Sequence, residues 1–244
     1  MTDWRSFWDG EHAIYVNARH KAVHYRAIAD GILRHVRESH AGPGAVVLDY
    51  ACGEALDAGR VAAAVGRLVL CDGAPSVVAR LRDHFGGLAN VASVLPEELD
   101  GVLGDHEADL VVVSSLIQYL TRADLGLLLD RFKAKLKPSG QLVIADVISP
   151  DTGILSDVGS LLRNGFSQGF LFASIAGLAA TAVSPYRKIR SELGLSTYSQ
   201  ADMLGLFADH GFSAERHPVN LGLTPHRMTF VAQPVPAPVS PAPA

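Results

Sequence analysis

Little in this chain suits it to secretion, to nucleic acid or to a membrane. Of its 244 residues only two are cysteine. Cys52 and Cys71 are too few for a disulfide framework and read as buried, reduced thiols of a cytosolic protein. The first residues, MTDWRSFWDGEH, lack the basic segment and apolar core of a secretory signal, so a cytoplasmic location is expected. No block of lysine and arginine occurs and the net charge is only −4, which argues against a nucleic-acid groove. No internal repeat is present. From Gln233 onward the chain is Pro/Ala-rich, and 233–244 is expected to be a disordered tail. The length is sufficient for the core of one α/β domain.

What the chain does contain is concentrated between Val46 and Asp72, VVLDYACGEALDAGRVAAAVGRLVLCD. Val46-Val47-Leu48 reads as a buried parallel strand ended by Asp49. A bend of small residues, Ala51 to Ala55, follows it. A helix is expected over 56–65, then a second strand from Leu68 to Cys71, stopped by Asp72. Strand, small-residue bend, helix, strand and carboxylate is the layout of a nucleotide-binding βαβ unit. In that layout the second acid accepts the ribose hydroxyls.

A dinucleotide site requires Gly-x-Gly-x-x-Gly so that a pyrophosphate can rest on the helix N-terminus. Here Ala51, Gly53 and Ala55 are spaced by two, and Glu54 among them would repel a pyrophosphate. This spacing resembles the D-x-G-x-G-x-G turn of the class I S-adenosylmethionine-dependent methyltransferases, with alanine at two of the three glycine positions. The resemblance implies an enzyme with a doubly wound, Rossmann-like sheet of seven mostly parallel strands, the last antiparallel. It also implies S-adenosylmethionine as cofactor. Asp49 would lie near the methionine ammonium, Ala51, Cys52 and Gly53 would present main chain to the methionine moiety, and Asp72, with Gly73 beside it, would hold the ribose.

The rest of the chain follows the same order. Residues 17–38 carry apolar side chains at helical spacing (Tyr25, Ile28, Ile32, Val36). With the aromatic segment before them, including Tyr15, they make residues 1–40 a helical cover for a domain spanning 41–232. His20 and His24 are four apart, but Lys21 stands where a His-Glu-x-x-His zinc helix has glutamate. No metal is therefore expected, and both histidines, like Tyr15, are candidate substrate contacts. A helix is expected from Pro75 to Phe85 and a third strand from Val91 to Val94. Glu97, next to Glu98 and Asp100, is the nearest candidate for the adenine contact that the resemblance implies. The fourth strand, 109–113, runs into Ser114 and Ser115, where cofactor and acceptor would meet, with Gln118 and Tyr119 one turn on. After a helix over 124–136, Leu136-Lys137-Pro138-Ser139-Gly140 reads as a turn similar to one in the same family, ahead of a fifth strand over 141–145.

Between Gly165 and Tyr186 no charged residue occurs, and Gly165, Gly169, Ala173 and Gly177 recur every fourth position. Polar residues dilute this stretch below what a spanning helix needs, about twenty predominantly apolar residues. It reads as part of a helical insertion, 154–195, that walls an apolar pocket, with peripheral membrane contact left open and no stable membrane insertion expected. Ser199 caps a last helix, and two strands, 213–219 and 226–232, close the sheet as an antiparallel hairpin. The expected activity is methyl transfer to a small, apolar molecule by in-line displacement, with no catalytic residue identifiable from pattern alone. A noncatalytic cofactor-binding relative and a nicotinamide-dependent oxidoreductase are the alternatives.

Overall fold

The computed structural model describes residues 17–151 and 195–236. Seven strands form one sheet: β1 (Val46–Tyr50), β2 (Arg67–Cys71), β3 (Val91–Val94), β4 (Ala108–Ser114), β5 (Leu136–Val147), β6 (Phe212–His217) and β7 (Met228–Pro234). Their order is β3-β2-β1-β4-β5-β7-β6. Neighbours from β3 through β5 run parallel, and β7 is antiparallel to both β5 and β6. The helices are α1 (Ala18–Glu38), α2 (Ala58–Ala62), α3 (Pro75–Phe85), α4 (Leu99–Val102), α5 (Arg122–Lys135) and α6 (Gln200–Asp209).

The central strands are apolar on consecutive residues because both faces of the sheet are covered. Val47, Leu68, Leu70 and Val112 belong to one core, packed with α1, α2 and α3. Leu48, Val69, Val111 and Val113 belong to the other, packed with Phe132 of α5 and Phe207 of α6. Each such side chain, removed from water, contributes about 1.5–3 kcal/mol before the entropy of ordering it is counted. Reversal of strand order on either side of β1 places the crevice of this sheet beyond the carboxyl ends of β1 and β4.

Several boundaries differ from the sequence pattern for identifiable reasons. β1 continues one residue past Asp49 because Tyr50 still pairs with Cys71 and Val113. α2 covers only five residues, shorter than the expected 56–65. Val65 turns into the core at 6% exposure, and Gly66 lies so close to Gly44 that a Cβ there would meet its carbonyl oxygen at 2.7 Å. α5 begins two residues early, since Thr121 and Asp124 cap it reciprocally. β5 already starts at Leu136. Its register jumps from Ala108↔Leu136 to Leu110↔Gln141, so Lys137–Gly140 bulges out of a strand rather than forming a separate turn. Ser199 caps α6 as expected, its hydroxyl accepting from Asp202 N–H at 3.1 Å. The aromatic N-terminal segment, the 154–195 insertion and residues 237–244 of the Pro/Ala tail lie outside the described residues, apart from Leu195. Among the described residues no helix is long and apolar enough to cross a membrane.

α1 crosses behind the first strands and reaches the β6–β7 connection at Gly31. A Cβ built on Gly31 would lie 2.5 Å from Leu221 Cγ, a branch point buried at 3% exposure. Gly31→Ala should therefore destabilise the protein by about 1–3 kcal/mol through overpacking, despite its better helix propensity. Gly205, on α6, has open space around it, and Gly205→Ala should stabilise by up to about 1 kcal/mol. Urea denaturation of the two variants checks the opposite signs.

Candidate functional site

The carboxyl ends of β1 and β2 are tied together by backbone and carboxylate. Ala51 and Cys52 N–H both donate to the Cys71 carbonyl, at 2.7 and 3.2 Å. Asp72 then accepts Gly53 N–H at 2.9 Å on one oxygen and Ala74 N–H at 3.0 Å on the other. Each carboxylate oxygen retains a further lone pair, so the group can still accept hydroxyls. Burial raises the Asp72 pKa, against the lowering effect of these backbone donors. Asp49 is buried at 5% exposure and has no hydrogen bond or ion pair among the described residues. Burial, then the neighbouring Asp72 charge, lifts its pKa to about 7.

The bend itself is strained. Of six non-glycine residues at positive φ among the described residues, Ala51 (60°), Ala55 (42°), Ser115 (56°) and Asp146 (60°) lie just beyond the ends of β1 and β4 or at the end of β5. A methyl group at such a φ carries a steric cost that glycine avoids. The two alanines at glycine positions therefore keep the left-handed backbone rather than relaxing it. Strain gathered at one edge of a sheet marks the place where structure serves binding. Gly53 (φ 58°) has a second requirement, since a Cβ there would come within 2.6 Å of the Tyr25 hydroxyl oxygen.

α1 lies directly over this bend. Glu54 N–H donates to Tyr25 Oη at 2.9 Å, and Lys21 pairs with the Glu54 carboxylate. Tyr25, Asp49 and Cys52 line a cavity of about 10 Å³, room for roughly one water. Cys52 and Cys71 are free and buried. Burial first, then nearby carboxylates, pushes both thiols above the ordinary range, so neither is a nucleophile at neutral pH.

A second polar group sits at the tips of β4 and β5. Asp146 is 4% exposed and accepts Ser115 Oγ–H at 2.7 Å and Ser114 Oγ–H at 3.3 Å. Asn220 donates to its other oxygen at 2.6 Å and accepts Asp146 N–H at 3.2 Å. Thr229 in turn donates to Asn220 at 2.7 Å. A Cβ on Gly222 would meet both Asp146 oxygens at 2.5 Å, so the loop closes tightly over the carboxylate. Burial lowers the His24 pKa while Asp146 acts to raise it, which places the α1 imidazole within electrostatic reach of the β5 tip. His20 is lowered by burial and by His24.

Thus the structure brings Asp49, Ala51, Cys52, Gly53, Asp72 and Gly73 to one side of the crevice, and Ser114 and His24 to the other, with His20 one turn away on α1. Gln118 is buried at 6% exposure, and its side-chain oxygen has no partner among the described residues. Tyr119 shares its short 3-10 turn. Glu97 is exposed, and the hydrogen bonds of that turn are taken instead by Glu98, which accepts Leu95 N–H at 2.8 Å. Tyr15 lies outside the described residues. Asp146 and Asn220 were not legible as site residues. A lone acid after a strand gives no signal, and its partner lies 74 positions away. Asn220→Ala should leave Asp146 and Thr229 short of partners and cost about 2–4 kcal/mol, measurable by thermal and urea unfolding.

A pyrophosphate has no support here, because α2 is five residues long and Glu54 occupies the bend. Residues 47–140 match the family model described as a methyltransferase domain. No curated protein matches the chain by sequence. Among solved structures, magnesium protoporphyrin IX methyltransferase from Synechocystis PCC 6803, with bound S-adenosylhomocysteine, is similar at TM-score 0.59 and 15% identity, over 95% of this chain and 92% of that one. The DhpI complex with S-adenosylhomocysteine is similar at 0.54 and 16%, over 96% and 92%. The mitomycin 7-O-methyltransferase MmcR is similar at 0.54 and 17%, over 84% of this chain and 53% of that one. Over residues 47–140 the chain is thus similar to a methyltransferase domain, and its fold is that of the class I S-adenosylmethionine-dependent methyltransferases.

Proposed function

We propose that this protein moves the methyl group of S-adenosylmethionine to a small, largely apolar acceptor. The observation that carries the reading is Asp49, a buried acid without a partner among the described residues, one strand from Asp72 with its spare lone pairs. An unpaired buried carboxyl is costly unless a ligand completes it, and a nucleoside with a cationic amino-acid tail supplies both a cation for Asp49 and hydroxyls for Asp72. Cys52 and Gly53 offer main chain between them. When bound, the cofactor supplies a methyl group already activated by its sulfonium.

The remaining work is positioning and proton removal. Ser114, Ser115 and Asp146 form the floor on the acceptor side, and Gln118 offers a buried oxygen without a partner among the described residues. His24, kept neutral by burial, is available to accept a proton from an oxygen or nitrogen nucleophile, with Asp146 near enough to stabilise the imidazolium. α1 would act as the cover of the 41–232 domain. The uncharged stretch 165–186 supports an apolar acceptor, and the small net charge supports a diffusible molecule rather than nucleic acid as partner, met in the cytoplasm. Two of the similar structures are named as a magnesium protoporphyrin IX methyltransferase and a mitomycin 7-O-methyltransferase, in line with a small-molecule substrate.

Calorimetric titration with S-adenosylmethionine tests the reading. Asp49 must ionise to pair with the cofactor's ammonium, so affinity should weaken as pH falls through the Asp49 pKa of about 7. The expected gain is about tenfold between about pH 6 and about pH 7.5. Asp49→Asn should bind weakly and lose that dependence, and Asp72→Ala should weaken binding at every pH. Affinity that is flat across this range in the unmodified protein would count against the assignment of Asp49. Transfer of a labelled methyl group into a small-molecule extract would separate an enzyme from a cofactor-binding relative.

A further inference from the structure

Away from the crevice, where the last turn of α1 meets the end of β6, three metal-ligating side chains converge. His35 Nδ1 is 3.2 Å from Glu38 Oε2, and His217 Nε2 is 3.5 Å from the same oxygen. One donor atom from each of the three lies within 4.8 Å of the others. The imidazole rings stand edge to face with centroids 4.9 Å apart. Four-coordinate zinc holds nitrogen and oxygen donors at about 2.0–2.2 Å, which separates neighbouring donors by roughly 3.4 Å. Both distances to Glu38 already match that separation. Glu38 is half exposed, at 46% of its side chain, and can turn to accommodate the ion.

The surroundings support coordination. His217 Nδ1 lies 2.8 Å from the Val219 carbonyl, and donating its proton there leaves the Nε2 lone pair facing Glu38. A second-ring-nitrogen bond to a backbone carbonyl is the usual way a ligating imidazole is oriented. In the other tautomer Nδ1 accepts the Val219 N–H, at 3.2 Å, and a metal ion on Nε2 selects the form with the proton on Nδ1. His35 is 1% exposed, and its Nε2 has no partner among the described residues, so its accessible chemistry is at Nδ1. The carboxyl end of the 21-residue α1 directs the negative end of its dipole toward the cluster, which favours a cation. Two groups act against positive charge at His35, first His217, which is itself a proposed ligand and neutral when it coordinates, and then Arg34, whose effect is smaller than the opposite one of the Glu38 carboxylate.

We propose that His35, Glu38 and His217 bind a divalent transition-metal ion of the zinc class, with water in the fourth position, clipping the end of α1 to β6. Two imidazoles and one carboxylate select zinc, cobalt or nickel over magnesium or calcium. The ion ties the helix that carries Lys21, His24 and Tyr25 to the hairpin that carries Asn220. It is separate from methyl transfer, and the proposal stands whether or not the acceptor assignment holds.

The test is titration of the chelator-stripped full chain with zinc by calorimetry, and with cobalt(II) by visible absorption. One saturating equivalent is expected, with the intense cobalt bands of a four-coordinate site and a zinc-dependent rise in the unfolding midpoint. Glu38→Gln and His217→Ala should each weaken zinc by more than about tenfold, the lower range of losses seen even for supporting residues. Glu38 is exposed enough for its variant to fold, which circular dichroism verifies, so the result does not hang on His217→Ala. His20→Ala/His24→Ala should retain the ion. Absence of saturable uptake, or uptake that survives both Glu38→Gln and His217→Ala, or uptake lost only in the His20/His24 variant, would overturn the proposal.

Discussion

The Asp72 carboxylate is the tie on which the ligand edge of this molecule depends. By accepting Gly53 N–H and Ala74 N–H it joins the bend after β1 to the bend after β2. The backbone between them has no helix of useful length to satisfy it, since α2 is a single short turn starting at Ala58. Three residues in that bend hold positive φ, two of them alanines. Such a conformation persists only where surrounding bonds over-determine it, and here the carboxylate, the Cys71 carbonyl and Tyr25 do so together.

That arrangement also explains why α1 belongs to the site rather than to an independent appendage. Tyr25 closes over Gly53, Lys21 pairs with Glu54, and His24 lies within electrostatic reach of Asp146. The helix is seated by apolar packing of Ile28, Ile32 and Val36 against the β1–β2 face, and by the fit of Gly31 against Leu221. Burial of the helix therefore orders polar groups at its N-terminal half, while its C-terminal turn meets β6 at His35, Glu38 and His217. One element touches the bend after β1, faces the β5 tip and meets the closing hairpin.

At the tips of β4 and β5 the decisive feature is a buried acid that is fully engaged. Asp146 is surrounded by donors from the end of β4, from the residue that follows it and from the β6–β7 connection, in contrast to Asp49, which has none among the described residues. Two acids on one sheet edge thus have different tasks. The engaged one organises Ser114, Ser115 and Asn220 and stabilises the fold. The unengaged one carries a cost that a ligand can remove, which is why it is the better marker of binding.

The amino-acid sequence alone determined the alternation of buried strands and covering helices, because Val/Leu runs such as 110–113 and the spacing of Ile28, Ile32 and Val36 are local patterns set by strand and helix geometry. It also determined the small-residue bend and the two acids flanking it, which lie within 24 residues of one another. Boundaries such as the short α2 and the bulge at Lys137–Gly140 were settled by contacts with distant backbone, Gly44 in one case and Ala108 in the other. Asp146 with Asn220, Tyr25 over Gly53, and the His35–Glu38–His217 cluster exist only in the folded chain. Apart from His35 and Glu38, which are three residues apart, their members are tens to nearly two hundred residues apart, and no local preference records which distant side chain a buried polar group will meet.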